Sequence, residues 1–179
     1  AGLMKINYVG DLTKSAAGLL NRAANNYYAF GISGLQNYGL LNNPFLSAAL
    51  TPATKAAGGT TWFNGNTPNA TPNEVYNDIL ACVERLIIQT NGTVDMKAPM
   101  TLAFSPFSNV AMGFANSFGV YVEDLLKKGF PNLKIKTAVQ YGAQTTTNNQ
   151  GFSSAGNFVQ LIADEIEGQK TAYCAYNEK

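Results

Sequence analysis

Val75, Ile79, Cys82, Val83, Leu86 and Ile87 recur at three- and four-residue spacing, with Asn73, Asn77, Glu84 and Gln89 between them. That period places the apolar set on one face of a helix and the polar set in water. The helix start is written in Thr71-Pro72-Asn73-Glu74. A capping threonine, a proline in the first turn and a glutamate three residues on make a capping box. Asn91-Gly92 ends the helix, since glycine takes the left-handed conformation at little cost. Met100 to Phe104 is short, mostly apolar and aromatic at its end, which predicts a buried strand, and Ser105-Pro106 caps a further helix. Residues 120–129 carry Glu123 and Asp124 early, Lys127 and Lys128 late and Gly129 last, the order that a helix macrodipole favours. Pro131 closes that segment, and residues 133–141 alternate like a strand. Residues 71–141 therefore read as helix, strand, helix, helix, strand, an α/β layer around which the rest is organised.

Before this layer, residues 5–9 alternate weakly as a short edge strand would, and residues 12–30 are helical. Leu12, Ala16, Leu19, Leu20, Ala23, Ala24 and Tyr27 share one helix face. Gly18 weakens that helix by about 1 kcal/mol relative to alanine unless it lets a neighbour approach closely. Residues 31–42 hold three glycines and read as a tight turn into a short strand, stopped by Asn42-Asn43-Pro44. Residues 47–70 form a long polar loop carrying the only tryptophan, Trp62, beside Phe63. Such a pair either pins the loop to its own body or inserts into a partner. Beyond Tyr141, residues 142–157 are again loop-like. Residues 158–166 read as a strand, paired with residues 171–176 across a connection containing Gly168.

Composition narrows the function classes. The chain has 179 residues, enough for one domain with a core or one domain with a small appendage. Charged residues make up 13%, against an ordinary share of about 25%, and the net charge is +1. Nothing in that balance suggests nucleic acid, which is normally held by clustered lysine and arginine. A low-charge, amide-rich surface suits a protein much of which is covered by neighbours. No apolar run spans a bilayer and no charged-then-apolar leader is visible, so the expectation is a soluble chain inside a cell or an assembly formed there.

The candidate chemistry is sparse. There is no histidine, which removes the commonest general base and the commonest metal ligand. Cys82 reads as a small core residue on its helix face, and with Cys174 it supplies too few thiols for a disulfide framework or a zinc site. The glycines of residues 31–39 lack the lysine-serine or lysine-threonine of a phosphate loop. Glu84 and Arg85 point apart, Glu123 and Asp124 complement a helix start, and Asp164, Glu165 and Glu167 surround the final hairpin without specifying a carboxylate pair. No catalytic, cofactor-binding or metal-binding residue is assigned, and no cofactor is expected.

The segment Gly34-Leu35-Gln36-Asn37-Tyr38-Gly39-Leu40-Leu41-Asn42, after a helix ending in asparagines and aromatics, resembles the turn after the spine helix in major capsid proteins of tailed bacteriophages. A G-x-x-G-L-x-N type segment is common there. The later order is also similar: a polar loop to Trp62, the helix ending at Asn91-Gly92, then Met100-Thr101-Leu102-Ala103-Phe104-Ser105-Pro106 as a strand followed by a proline-started helix. The resemblance implies an α+β, Hong Kong 97-like fold with a peripheral domain of spine helix and hairpin and an α/β axial domain. Residues 1–70 would hold the end of the spine helix and its connecting loop, 71–141 the axial core, and 142–179 a polar loop and a hairpin returning to the peripheral domain.

Function would then be structural: an icosahedral capsid subunit, found in the virion and assembled in the bacterial cytoplasm. Its partners would be copies of itself in pentamers and hexamers, with scaffold and portal proteins, and neither membrane nor specific nucleic acid. Residues 47–70, 142–157 and the helix 120–128 are the candidate contacts. The family's N-terminal arm and extended loop precede the spine helix, and almost nothing does here, so the chain reads as a fragment of a longer subunit. No lysine here matches the one by which some relatives crosslink. Rival readings are an encapsulin-type shell protein, a small intracellular α/β enzyme, and a binding module using Trp62 and Phe63.

Overall fold

The computed structural model describes residues 8–32, 34–35, 37–142 and 157–172. They fall into two compact units that divide between Leu46 and Ser47.

The first unit is helix α1 (Tyr8–Phe30) and the segment that closes it. The helix begins earlier than the sequence pattern suggests: Tyr8 and Val9 are helical, which removes the end of the expected edge strand, and the rest of that strand lies outside the described residues. Residues 31–42 form a cap where the sequence reading has a turn into a strand. The last four carbonyls of a helix have no partner within it. Here those of Tyr27, Tyr28 and Ala29 accept from the backbone N–H groups of Gly31, Leu40 and Leu41 at 2.8, 3.0 and 2.8 Å. That of Phe30 accepts from the Asn42 side-chain amide at 2.6 Å, and the Asn42 carbonyl oxygen accepts from Gly39 N–H at 2.7 Å.

Two glycines permit this closure. Gly31 has φ +68°, and a Cβ there would sit 1.9 Å from the Asn37 carbonyl oxygen. At Gly39 a Cβ would fall 2.3 Å from the Ala29 and Phe30 backbone. Gly18 differs, with nothing in this chain within 4 Å of its missing Cβ.

The second unit is built on a three-stranded sheet of order β4-β3-β5. Ahead of it lies a two-residue hairpin, β1 (Phe63–Asn64) with β2 (Thr67–Pro68). Helix α2 (Pro72–Gln89) starts in the expected capping box, with Thr71 Oγ1 accepting from Glu74 N–H at 3.3 Å and Glu74 Oε2 accepting from Thr71 N–H at 2.7 Å. It ends through Asn91 and Gly92, at φ 49° and 80°, with Gly92 N–H reaching the Ile87 carbonyl. Val75, Ile79 and Val83 are its buried face.

Strand β3 (Met100–Phe104) is the centre of the sheet, and four of its five residues are buried. Strand β4 (Leu133–Thr137) runs parallel to it, Leu102 opposite Ile135. A parallel neighbour needs a crossover. That crossover holds a 3-10 helix, Ser108–Gly113, in place of the α-helix expected after Ser105-Pro106, and then helix α3 (Val122–Gly129). Strand β4 is also shorter than the alternation suggests, because residues 139–141 turn into a single 3-10 turn that buries Tyr141.

The chain's end corrects the sequence reading twice. Strand β5 (Val159–Ala163) pairs antiparallel with β3, Leu161 opposite Leu102, so it belongs to this sheet. The hairpin that follows is β6 (Glu165–Ile166) with β7 (Gln169–Lys170), not residues 171–176. Glu167 and Gly168 both have positive φ, 53° and 78°, the geometry of a two-residue type I′ turn. A two-residue turn forces pairing immediately beside it. Residues 173–176 lie outside the described residues.

The core lies between the sheet and the helices. Val75, Ile79, Leu102, Phe104, Leu126 and Phe130 are fully buried in it, and Ile166 packs against its margin.

Candidate assembly surfaces

Residues 47–70 are fastened to α2 by a polar cluster. Lys55 is the only charged residue in this loop, and its Nζ donates to both oxygens of Asp78 at 2.7 and 2.6 Å and to the Ala53 carbonyl at 2.9 Å. The Trp62 indole N–H donates to Asp78 Oδ2 at 2.7 Å. The Lys55 side chain is 1% exposed and that of Asp78 9%. A buried pair is held only if its remaining hydrogen-bonding capacity is met, and here both partners are saturated. Nearby, Asn69 Nδ2 donates to the carbonyls of Gly58 and Thr61, closing the loop on itself.

This decides the role of the aromatic pair. Trp62 is buried in the core, and Phe63 packs its ring 4.6 Å from that of Phe107 and 5.6 Å from that of Phe114. Both side chains pin the loop to its own body, which corrects the picture of an exposed pair and takes the ground from a binding module built on them. The Lys55–Asp78 pair is absent from the sequence reading. Its signal was a lone lysine in an otherwise uncharged loop and an acid beside an apolar helix face.

The titratable groups are placed for structure. Glu74 is held below the usual carboxylate range first by the Thr71 N–H, then by the Ala56 N–H and the Thr71 hydroxyl. Asp164 feels burial pushing its pKa up, but hydrogen bonds from Lys134 and Thr101 outweigh it and hold the group low. The same contact raises Lys134. Lys127 is raised by its hydrogen bond to Glu123, one turn earlier on α3. Burial pushes the Tyr141 phenol up to about 12, and its hydroxyl donates to Gln160 at 2.7 Å.

Asp164 thus pairs with a lysine on β4, and Glu167 occupies the hairpin turn, so these acids form no carboxylate dyad. Cys82 lies half-buried at the edge of the α2 face, outside the core cluster that the sequence pattern assigned to it. Burial, then the Asp78 charge, raises its thiol pKa. Cys174 lies outside the described residues. Among the described residues no group of three or more His, Cys, Asp or Glu side chains could hold a metal, and no helix is long and apolar enough to cross a membrane.

What the described surface presents is apolar. On α1, Phe30 alone is buried, while Val9, Leu12, Leu19, Leu20 and Tyr27 are exposed along the expected face. Phe45 in the first unit and Phe118 in the second are each 91% exposed. Of the three expected contact segments, residues 47–70 serve largely as internal packing. Helix α3 buries Val122 and Leu126 and shows the Glu123–Lys127 pair outward, so its exposed apolar groups are Phe118, Val120 and Tyr121 just before it. Residues 143–156 lie outside the described residues.

Comparison with known proteins agrees with this surface. A comparison with curated proteins gives no match. Among solved structures, the chain is similar to one from the capsid of Myoviridae phage XM1, with a TM-score of 0.55 and 17% identity, over 76% of this chain and 44% of that one. At that identity the likeness concerns the fold, a mixed helix-and-sheet arrangement, and this chain spans less than half the length of that neighbour. The family model described as Pa193 gp26 major capsid protein matches residues 1–179, so the chain belongs to that family of phage major capsid proteins.

Proposed function

We propose that the chain tiles a phage capsid through repeated contacts between copies of itself. The observation that carries this reading is the family match over every residue. The exposed apolar face of α1 supports it, because a helix of 23 residues with one buried side chain has no reason to be amphipathic in isolation. Within a Hong Kong 97-like subunit, α1 would be the end of the spine helix and the second unit the axial domain, with its copies meeting around five- and six-fold axes. Residues 47–70 and β5 belong with that axial layer in this reading, since Trp62 and the β3–β5 pairing tie them to it.

The mechanism is geometric. Each interface can be weak because a closed shell repeats it, and the whole is stabilised by multivalency. Catalysis has no part in it. Assembly in the bacterial cytoplasm and encounters with scaffold and portal proteins follow from the same proposal. Expression of the gene product, size exclusion with light scattering and negative-stain electron microscopy test it. Closed shells or five- and six-membered rings are the expected result, and a persistent monomer at high concentration would refute it.

A further inference from the structure

The second unit carries an apolar knob and an apolar hollow on different parts of its surface. Phe118 stands on a turn built to hold it. Asn116 Oδ1 accepts from the N–H groups of Phe118 and Val120, both at 3.0 Å, and Asn116 and Val120 also exchange a backbone bond at 3.0 Å. Gly119 supplies the left-handed residue at φ +74°, and Ala115 bridges Tyr121 below. A ring held this way loses little conformational freedom on docking. The hollow is lined by Leu80, Val83, Ile87 and Ile88 of α2, Met96 beyond it and Phe130 after α3, with a volume of about 260 Å3. An apolar cavity of about 150 Å3 suffices for benzene, so a phenyl ring fits.

The two features lie at opposite ends of α3. Phe118 precedes its first turn and Phe130 follows its last residue, with eight helical residues, about 12 Å, between. A single rigid unit cannot bring its own knob to its own hollow. We infer that Phe118 of one subunit docks in the α2 hollow of a second copy, giving a head-to-tail contact; the inference rests on the shell reading above and names its interface. Area supports a ring over a dimer. A docked phenylalanine buries about 150–250 Å2, and the hollow a similar amount, well below the ~1,000 Å2 of a stable isolated interface. A head-to-tail contact that small persists only where rotation closes it into a ring and every copy makes it twice.

The test replaces Phe118 with p-benzoylphenylalanine in the whole chain, irradiates assembled particles, and maps the adducts by mass spectrometry. Adducts on Met96 or Ile88 of another copy are expected. Particles that assemble but give adducts only elsewhere, or none between copies, overturn this contact and leave the shell reading standing. In parallel, Phe118→Ala should raise the concentration needed for assembly at least about tenfold, the loss of one buried ring per contact. An unchanged threshold, with Trp62 emission reporting a folded unit, also overturns it. Wild-type chain that never assembles removes the shell reading itself, and this contact with it.

Discussion

Asp78→Asn is the sharpest single test of how the second unit is held together. The substitution keeps the shape of the side chain and an oxygen for the Trp62 indole, but it removes the charge facing Lys55. The ammonium, 1% exposed, then keeps only the Ala53 carbonyl and a neutral amide. Breaking a buried pair by removing one partner costs about 3–5 kcal/mol, a large part of the roughly 5–15 kcal/mol of a whole domain. With a urea m-value of about 2 kcal/mol/M, the unfolding midpoint should fall by about 2 M.

The assay is built in, since Trp62 is the only tryptophan and accepts its polarity from this cluster. Urea titration followed by tryptophan emission and far-ultraviolet circular dichroism reads both the local and the global loss. The double variant Lys55→Met/Asp78→Asn removes both charges and should recover more than half of the loss, because a neutral pair carries little desolvation penalty. A single-variant shift under about 0.5 M, or a double variant no better than the single, would refute the argument that an uncompensated buried charge sets the cost.

Other outcomes follow from the same geometry. Gly39→Ala should cost about 3 kcal/mol and detach residues 31–42 from the end of α1, since its Cβ meets backbone at 2.3 Å; amide exchange at Leu40 and Leu41 reads it, and protection equal to wild type would count against the cap. Gly18→Ala should instead raise α1 helicity, by about 1 kcal/mol, in thermal melts of the unassembled chain. Asp164 is held low when folded, so its contribution is present above the unfolded carboxylate pKa of about 3.9 and is lost as pH falls through the lower folded value. Asp164→Asn should therefore flatten the acid limb of the stability profile, and an unaltered limb would contradict the Lys134 and Thr101 contacts. Burial and the Asp78 charge raise the Cys82 thiol, so in a Cys174→Ser variant iodoacetamide should react with it at least about tenfold slower when folded than in urea; equal rates would show the thiol is not protected.

The capping box at Thr71, the amphipathic face of α2 and the charge order of α3 were legible in the sequence because each depends on residues within one or two helical turns. The glycines of residues 31–42 were visible too, but not their purpose. Four carbonyls at the end of α1 find partners up to twelve residues away, and only the folded path shows that Gly39 must pass against Ala29. The final hairpin was placed a few residues late because the left-handed pair Glu167 and Gly168 sets the turn, and a non-glycine residue at positive φ leaves no mark in a hydrophobic pattern. The family resemblance rested on the order of local signals along the chain, which is why it could be read before any contact was known.

Long-range pairings had no such local trace. Lys55 meets Asp78 across 23 residues, and β5 finds β3 across a polar stretch, through contacts whose energy depends on burial rather than on neighbouring sequence. Periodicity marks which face of a helix is apolar, but whether that face is covered depends on what the rest of the chain brings to it. For α2 the sheet and α3 cover it, while for α1 the described residues leave it open to a partner.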